Sequence, residues 1–224
     1  WYDSLLAFLI SGKGDAADLK TVKVMFSTSE ALNVATKEAF QEQFCIPIVE
    51  CYADEEAGIM AHQKVQDNRF YLNHASYIFE ILKLEEDKPA AYGELGRIVI
   101  TDLYNYAFPL IRYDTGDTAI LAKGNEETGG WDYLEKIYGR RLDLIYDTKD
   151  NPIHPMSFAR VLKNLDGIRQ WQFIQKDKSK YLLKLNVQKE KFDLENTLLE
   201  IRKIVGQDAD VQIEYVEDLS LIHI

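Results

Sequence analysis

The spacing of apolar residues in the first quarter of the chain constrains the fold most. A short β-rich run at residues 21–26 is followed by a segment at residues 33–44 whose apolar side chains recur at helical spacing. A second β-rich run and a polar loop follow at residues 46–56. This strand–helix–strand order predicts a parallel sheet covered by helices.

After Ser76 the pattern changes to strict alternation of apolar and polar residues. Residues 76–84 and 95–104 alternate on either side of a turn that contains Pro and Gly, so they are predicted to form antiparallel strands. Residues 108–121 are predicted to form a third strand, and the polar stretch at residues 122–132 is the clearest loop. This middle part of the chain is therefore expected to extend the sheet with antiparallel strands.

The last third of the chain has a different pattern of predicted helices and strands. Its pattern predicts a helix, a hairpin of two strands, a second helix stopped by Gly206 and a final strand, at residues 154–165, 168–175, 180–188, 193–206 and 210–216. The order αββαβ within so few residues predicts a small α+β domain. In the second helix region, Phe192, Leu198, Leu199, Ile201 and Val205 are predicted to face the core.

Composition excludes several classes of function. The net charge of −11 argues against binding of nucleic acid through a broad basic field. No run approaches the roughly 20 apolar residues that a membrane-spanning helix needs. Cys45 and Cys51 have the spacing of neither a disulfide scaffold nor a zinc site, which fits a reducing cytoplasm.

Residues 109–117, with the sequence PLIRYDTGD, place two acids, an arginine and a glycine where a strand should enter a core. A surface turn is one interpretation, because Asp and Gly are common turn residues. The other is a ligand site. A nucleotide needs an aromatic face for its base, an acceptor for its ribose hydroxyls and cations for its phosphates. We expect such groups to converge at strand tips, where open α/β sheets bind ligands.

Four residues offer this chemistry. The ring of Tyr52 is a face for a base, and Asp117 can accept hydrogen bonds from both hydroxyls of a ribose. Glu56 has the hard oxygen ligands that Mg²⁺ prefers, and the guanidinium of Arg140 can donate to ribose or phosphate oxygens. Structural interpretations stay open for each: Tyr52 as core packing, Glu56 as part of a solvated acidic run, and Arg140 as a neighbour of Arg141, either of which can pair with Asp143.

Taken in order, four short motifs resemble those of the adenylate-forming superfamily of acyl-CoA synthetases, adenylation domains and luciferases. The motifs are STSEAL, CYADEE, RYDTGD and YGRRLD at residues 27–32, 51–56, 112–117 and 138–143, which resemble SGSEAL, YGxTE, YRTGD and GRxDD. The text at residues 93–117, GELGRIVITDLYNYAFPLIRYDTGD, resembles the strand pair GExGELVVTxLxxxxxPLIRYRTGD of that superfamily. The nearest branch is that of phenylacetate-CoA ligases and the related capsular-polysaccharide and coenzyme synthetases.

The resemblance implies ATP-dependent activation of an aryl or other small carboxylic acid to an acyl-adenylate, followed by transfer to coenzyme A, a carrier protein or another acceptor. It implies that Ser29 and Glu30 belong to the adenine loop, although Ser and Glu also suit the start of the following helix. It further implies that Tyr52 stacks on the base, Asp117 holds the ribose, Glu56 binds Mg²⁺ and Arg140 acts in catalysis and in nucleotide binding.

The resemblance also divides the chain. Residues 1–141 are expected to form the C-terminal portion of a large nucleotide-binding domain, residues 142–218 a small mobile domain, and residues 219–224 a non-native tail. The family's phosphate loop is expected before Trp1 and its adenylation lysine beyond Asp218, so little activity is expected of this chain alone.

Two departures from the family motifs leave a second function open. Glu55 stands where the family has a threonine that donates to the α-phosphate, and a carboxylate there would repel it. Leu142 replaces the first acid of the hinge motif. The alternative is therefore a nucleotide-binding module without catalysis. An α/β-hydrolase is not favoured, because the chain has no Gly-x-Ser-x-Gly elbow.

Overall fold

The computed structural model describes residues 2–28, 32, 34–65, 67–154, 156–163, 165–188 and 190–219. The chain divides into two compact units, Trp1–Ile137 and Tyr138–Ile224, judged on its described part. The motifs predict the domain boundary after residue 141, a few residues beyond this division. That boundary stays a prediction. No helix among the residues described is long and apolar enough to cross a membrane.

The first unit is built mainly from strands. Its helices are α1 (Tyr2–Ile10), a 3₁₀ turn (Ala16–Leu19) and α2 (Val34–Phe44). Its strands are β1 (Met25–Ser27), β2 (Ile48–Asp54), β3 (Gly58–Lys64), β4 (Asp67–Leu72), β5 (Tyr77–Leu82), β6 (Leu95–Asp102), β7 (Tyr113–Ala122) and β8 (Tyr133–Arg140), the last of which ends beyond the boundary between the units.

Over the described residues, these strands form one sheet in the order β1-β2-β3-β4-β8-β7-β6-β5. The first two strands, β1 and β2, are parallel: Met25 lies opposite Ile48, and α2 is the crossover between them. The pairs β2–β3, β3–β4, β5–β6 and β6–β7 are antiparallel. Both the parallel start and the antiparallel middle predicted from the spacing of apolar residues are confirmed.

A large apolar cluster lies in the interior of the first unit. Its fully buried members include Met60 of β3, Ile98 and Ile100 of β6 and Leu134 of β8. Gly96 lets β6 pack closely, because a Cβ there would lie 2.5 Å from the carbonyl oxygen of Leu82. The core therefore fixes the middle of the sheet, from which the polar residues of β2 and β7 project.

The second unit has the predicted αββαβ order. After a 3₁₀ turn at Arg141–Asp143 and the short strands β9 (Ile145–Tyr146) and β10 (Pro152–Ile153) come α3 (Met156–Lys163), β11 (Ile168–Asp177), β12 (Lys180–Val187), α4 (Leu194–Val205) and β13 (Asp210–Tyr215). Within the described residues, β11, β12 and β13 form a sheet in that order, antiparallel and then parallel. The fold class, α/β joined to a small α+β domain, is confirmed.

Aromatic rings dominate the core of this unit. Phe158 of α3 stacks on Phe173 with ring centroids 4.3 Å apart, and Phe173 stacks on Tyr181 at 5.4 Å. Ile201 and Val205 of α4 are fully buried beside them. Leu199 is 50% exposed, so its assignment to the core was wrong. It lies two residues before Ile201, on the side of α4 that faces solvent.

Candidate functional site

Strand β7 departs from the sequence-based expectation in two ways. The strand begins at Tyr113 rather than at residue 108, and Arg112 has a positive φ of 46°. The DTGD segment lies inside β7 and not at a strand tip. Asp and Gly predict turns, but the same residues also build bulges within strands, which is why the position was misjudged.

The register between β6 and β7 shows the bulge directly. Val99 lies opposite Asp114 and Arg97 lies opposite Thr118, so β7 places three residues, 115–117, against Ile98 alone. Gly116 takes a φ of 78°, which favours glycine over residues with a Cβ. The Thr115 hydroxyl donates to the carbonyl oxygen of Ile98 at 3.1 Å, and so satisfies a backbone group that the bulge takes out of the ladder.

The bulge brings Asp117 to Tyr52 of β2. The Tyr52 hydroxyl donates to Oδ2 of Asp117 at 3.0 Å and lies 3.1 Å from Oγ1 of Thr115. Tyr52 and Asp117 are 8% and 7% exposed. Burial raises the pKa of Tyr52 far above its ordinary value, and the neighbouring Asp117 carboxylate raises this pKa further. The phenol therefore stays protonated and serves as a donor to the carboxylate.

Glu56 is hydrogen-bonded to a residue of β7. It lies in the turn after β2, and its Oε1 accepts a hydrogen bond from the hydroxyl of Tyr113 at 2.5 Å. Tyr113 is the first residue of β7, four positions before Asp117. The end of β2 and the start of β7 thus bring Tyr52, Glu56 and Asp117 into one neighbourhood of the first unit.

A carboxylate at the exposed position of Glu56 fits a Mg²⁺ ion that also binds phosphate, because this ion takes few protein ligands and keeps several waters. Among the residues that the structure describes, no group of three or more His, Cys, Asp or Glu is arranged to hold a metal. A magnesium ion at this position would therefore use Glu56 together with oxygens from phosphate and water.

The adenine-loop residues Ser29 and Glu30 lie outside the described residues. Leu32, at the end of the same motif, is described, and its backbone N–H donates to Oε2 of Glu50 at 3.2 Å. Glu50 lies on β2, two residues before Tyr52, and its Oε1 is 3.7 Å from Nζ of Lys37 on α2. Glu50 thus anchors one end of the loop to the strand that carries Tyr52.

Arg112 and Arg140, from two of the motifs, have different surroundings. Arg112 donates from Nε and Nη2 to the carboxylate of Glu80, at 2.9 and 3.1 Å, and so forms an ion pair with β5. Arg140 is the exposed last residue of β8 and belongs to the second unit. Asp143 ends the 3₁₀ turn that follows. The roles of Arg140 in catalysis and nucleotide binding stay predictions.

Thr115 and Glu50 were missed by sequence reasoning. Thr115 supports both partners of the Tyr52–Asp117 pair: it lies against the phenol oxygen, and its Oγ1 accepts from the backbone N–H of Asp117 at 3.2 Å. Its place two residues before Asp117 was a usable signal, since alternate residues of a strand share a face. The bond from Leu32 to Glu50 spans 18 residues and had no local signal.

Tyr52→Phe tests the importance of the buried hydrogen bond. The change leaves the Asp117 carboxylate without its phenol donor, so we expect the free energy of unfolding to fall by about 1–3 kcal/mol. Tyr106→Phe is the control, because Tyr106 is 84% exposed and its loss of a hydroxyl should cost less than about 0.5 kcal/mol. Urea denaturation of the two variants measures both values; equal losses would contradict the assigned geometry.

One protein family and one curated protein match parts of the chain. Residues 145–221 match the family model described as the CapK C-terminal domain. The protein CapK of Staphylococcus aureus is 20% identical to this chain over 158 residues, which are 68% of this chain and 33% of CapK. The chain therefore spans about a third of the length of this curated relative.

Solved structures resemble the chain over nearly all of its length. A 2-hydroxyisobutyryl-CoA ligase in the postadenylation state, in complex with 2-HIB-AMP, is 16% identical with a TM-score of 0.69, over 98% of this chain and 50% of the ligase. The anthranilate CoA ligase AuaEII, in complex with anthranoyl-AMP, is 18% identical with a TM-score of 0.64, over 97% and 45%. Apo MatB from Rhodopseudomonas palustris is 15% identical with a TM-score of 0.55, over 99% and 47%.

The TM-scores show a shared fold, at sequence identities too low to show more than the fold. The matched region is about half of each solved protein. The resemblance noted in the four motifs is thus supported by the fold of the chain and by the family match in its last third. The chain shares the fold of about half of each of these two CoA ligases, and its residues 145–221 match the CapK C-terminal domain.

Proposed function

We propose that the protein activates a small carboxylic acid with ATP. In this reaction a carboxylate oxygen of the acid attacks the α-phosphorus of ATP, pyrophosphate leaves, and an acyl-adenylate is formed. The observation that carries the proposal is the hydrogen-bonded pair of Tyr52 and Asp117 at the bulge of β7, on the fold of CoA ligases. Pairing an aromatic ring with a carboxylate suits recognition of a nucleoside.

Asp117 is the proposed ribose acceptor. Oδ2 already accepts from the Tyr52 phenol, which fixes the orientation of the carboxylate before a nucleotide binds. A fixed acceptor loses little conformational freedom on binding, so its bonds to ribose hydroxyls contribute more affinity. Tyr52 is the proposed face for the base, and Ser29 and Glu30 are proposed to belong to the adenine loop.

Glu56 is the proposed ligand of Mg²⁺, which when bound would neutralise charge on the phosphates. Glu55, which raised the alternative of a module without catalysis, is exposed in the turn between β2 and β3. Arg140 is proposed to donate to ribose or phosphate oxygens during the reaction, since a planar guanidinium matches such acceptors.

The acid is proposed to be an aryl or other small carboxylic acid, and the acyl group to pass to coenzyme A, a carrier protein or another acceptor. The 2-hydroxyisobutyryl- and anthranilate-CoA ligases carry acyl-AMP in their structures, which supports this substrate class. Both cysteines are free, which suits the proposed location in a reducing cytoplasm.

Release of pyrophosphate tests the proposal. The full-length protein, incubated with ATP, Mg²⁺ and a panel of aryl and short aliphatic acids, should release pyrophosphate only when an accepted acid is present. Omission of the acid is the control for simple ATP hydrolysis. ATP binding without acid-dependent release for any acid would favour the non-catalytic module, and absence of ATP binding would overturn both functions.

A further inference from the structure

The bulge that presents Asp117 is held at its start by a partly buried ion pair. Nη1 of Arg97 on β6 lies 2.9 Å from Oδ2 of Asp114 on β7. The side chain of Arg97 is only 12% exposed, compared with 36% for Asp114. Such a pair is less screened by water than the surface ion pairs of this chain.

Both partners make further bonds that fix them in place. Oδ1 of Asp114 accepts from the backbone N–H of Gly116, at 3.0 Å, inside the bulge. Arg97 also donates to the carbonyl oxygen of Lys83, at 3.3 Å, and to Asp87, both in the segment between β5 and β6. Asp114 therefore connects the backbone of the bulge to a guanidinium that is anchored on the neighbouring strand.

The strand register shows why the ion pair between Arg97 and Asp114 affects the position of Asp117. The pairing shifts between Arg97 and Val99 on β6, which is where the three residues of β7 stand against one. A bulge re-aims the side chains that follow it. The bond from Gly116 to Asp114 and the bond from Thr115 to Ile98 both hold the bulge, and Asp117 is its last residue.

We propose that Arg97 and Asp114 are positioning residues that hold the bulge of β7 so that Asp117 meets the ribose of the nucleotide. The pair does not touch the ligand and acts through the backbone at Gly116. This inference rests on the proposed function for its nucleotide readout, but the position of the bulge is measurable without a nucleotide.

Charge reversal tests the pair in the full-length protein. Arg97→Glu and Asp114→Arg each place like charges together, and each should raise KM for ATP about tenfold, the coupling typical of residues in one network. KM for the acid should stay unchanged. A general loss of folded protein would instead lower Vmax and leave both KM values unchanged. The double variant Arg97→Glu/Asp114→Arg restores opposite charges but not the acceptor for the Gly116 N–H, because arginine only donates, so it should recover part of the affinity for ATP.

A second measurement needs no nucleotide. The Asp117 backbone N–H donates to Oγ1 of Thr115 within the bulge, so its hydrogen exchange should be slow in the wild type. It should become faster in both single variants and should slow down in the double variant without reaching the wild-type rate. The control is the exchanged pair Lys184→Glu/Glu214→Lys on β12 and β13, which should change neither quantity.

The outcomes separate the two proposals. If the wild type does not bind ATP, the proposed function fails, while recovery of Asp117 exchange in the double variant still supports the positioning pair. If the single reversals leave Asp117 exchange at its wild-type rate, the positioning role is overturned. It is also overturned if the double variant is no better than the worse single variant in either measurement.

Discussion

Asp117→Ala in the full-length protein is expected to raise KM for ATP about a hundredfold, the largest effect that we predict for a single residue of the site. Hydrogen bonds to a charged acceptor contribute roughly 1.5–3 kcal/mol each, and every 1.4 kcal/mol is a factor of ten in affinity. Asp117 lies beside Tyr52 in a buried position, where water replaces a lost carboxylate poorly. Steady-state kinetics with varied ATP measures the change.

Two further variants make this result specific. Asp117→Asn keeps the size of the side chain and one carbonyl oxygen but removes the charge, so its KM for ATP should lie between those of the wild type and Asp117→Ala. Asp166→Asn makes the same chemical change at an exposed turn after α3 and should leave KM for ATP unchanged. A wild-type KM for ATP in folded Asp117→Ala protein would remove this residue from the nucleotide site.

Phe158→Ala is expected to lower the stability of the second unit by about 3–5 kcal/mol, the usual cost of emptying a buried aromatic site. Phe158 is 1% exposed and stacks on Phe173, so the change removes both apolar burial and a ring contact. Hydrogen exchange of the amides in β11 and β12 measures this loss within the unit itself. Those amides should exchange by global opening in the wild type and much faster in the variant.

Leu199→Ala is the matched control for that experiment. Leu199 lies on α4 in the same unit but is half exposed, so truncation should cost less than about 1 kcal/mol. Equal acceleration of exchange in the two variants would mean that the aromatic stack is not the centre of this core. Acceleration confined to α3, with β11 and β12 unaffected, would also contradict the description.

The elements of the second unit were predictable because their signals are local. The segment from Asp193 to Gly206 illustrates this: the side chain of Asp193 accepts from the backbone N–H of Asn196 at the start of α4, and Gly206 follows its last residue with a φ of 118°. Capping residues and a terminal glycine mark helix ends in sequence alone. The helix register also placed Ile201 and Val205 correctly inside, although Leu199 was misplaced.

The bulge of β7 was not predictable in the same way. Nothing in the letters DTGD distinguishes a turn from a bulge, because both use a glycine with positive φ. The choice is made by β6, where Ile98 presents a carbonyl to Thr115 and Arg97 presents a cation to Asp114. Partners this far along the chain, 17 residues in each case, leave no periodic signal in a single sequence.

The candidate site was likewise predictable in part. The chemistry of Tyr52, Glu56 and Asp117 was visible residue by residue, but their proximity was not, because 65 residues separate Tyr52 from Asp117. Only the resemblance of the ordered motifs suggested a common site. The anchoring contacts, from Tyr113 to Glu56 and from Leu32 to Glu50, depend on the tertiary fold and were found only in the structure.

The binding of ATP and 2′,3′-dideoxy-ATP to wild-type and Asp117→Asn protein, measured by titration calorimetry, tests the central claim most directly. If the bulge of β7 presents Asp117 to the ribose, the wild type should bind the dideoxy nucleotide at least tenfold more weakly than ATP, since it lacks both hydroxyl donors. In Asp117→Asn, which keeps one oxygen acceptor without the charge, that difference should become clearly smaller. An equal preference for ATP in both proteins would show that another group holds the ribose.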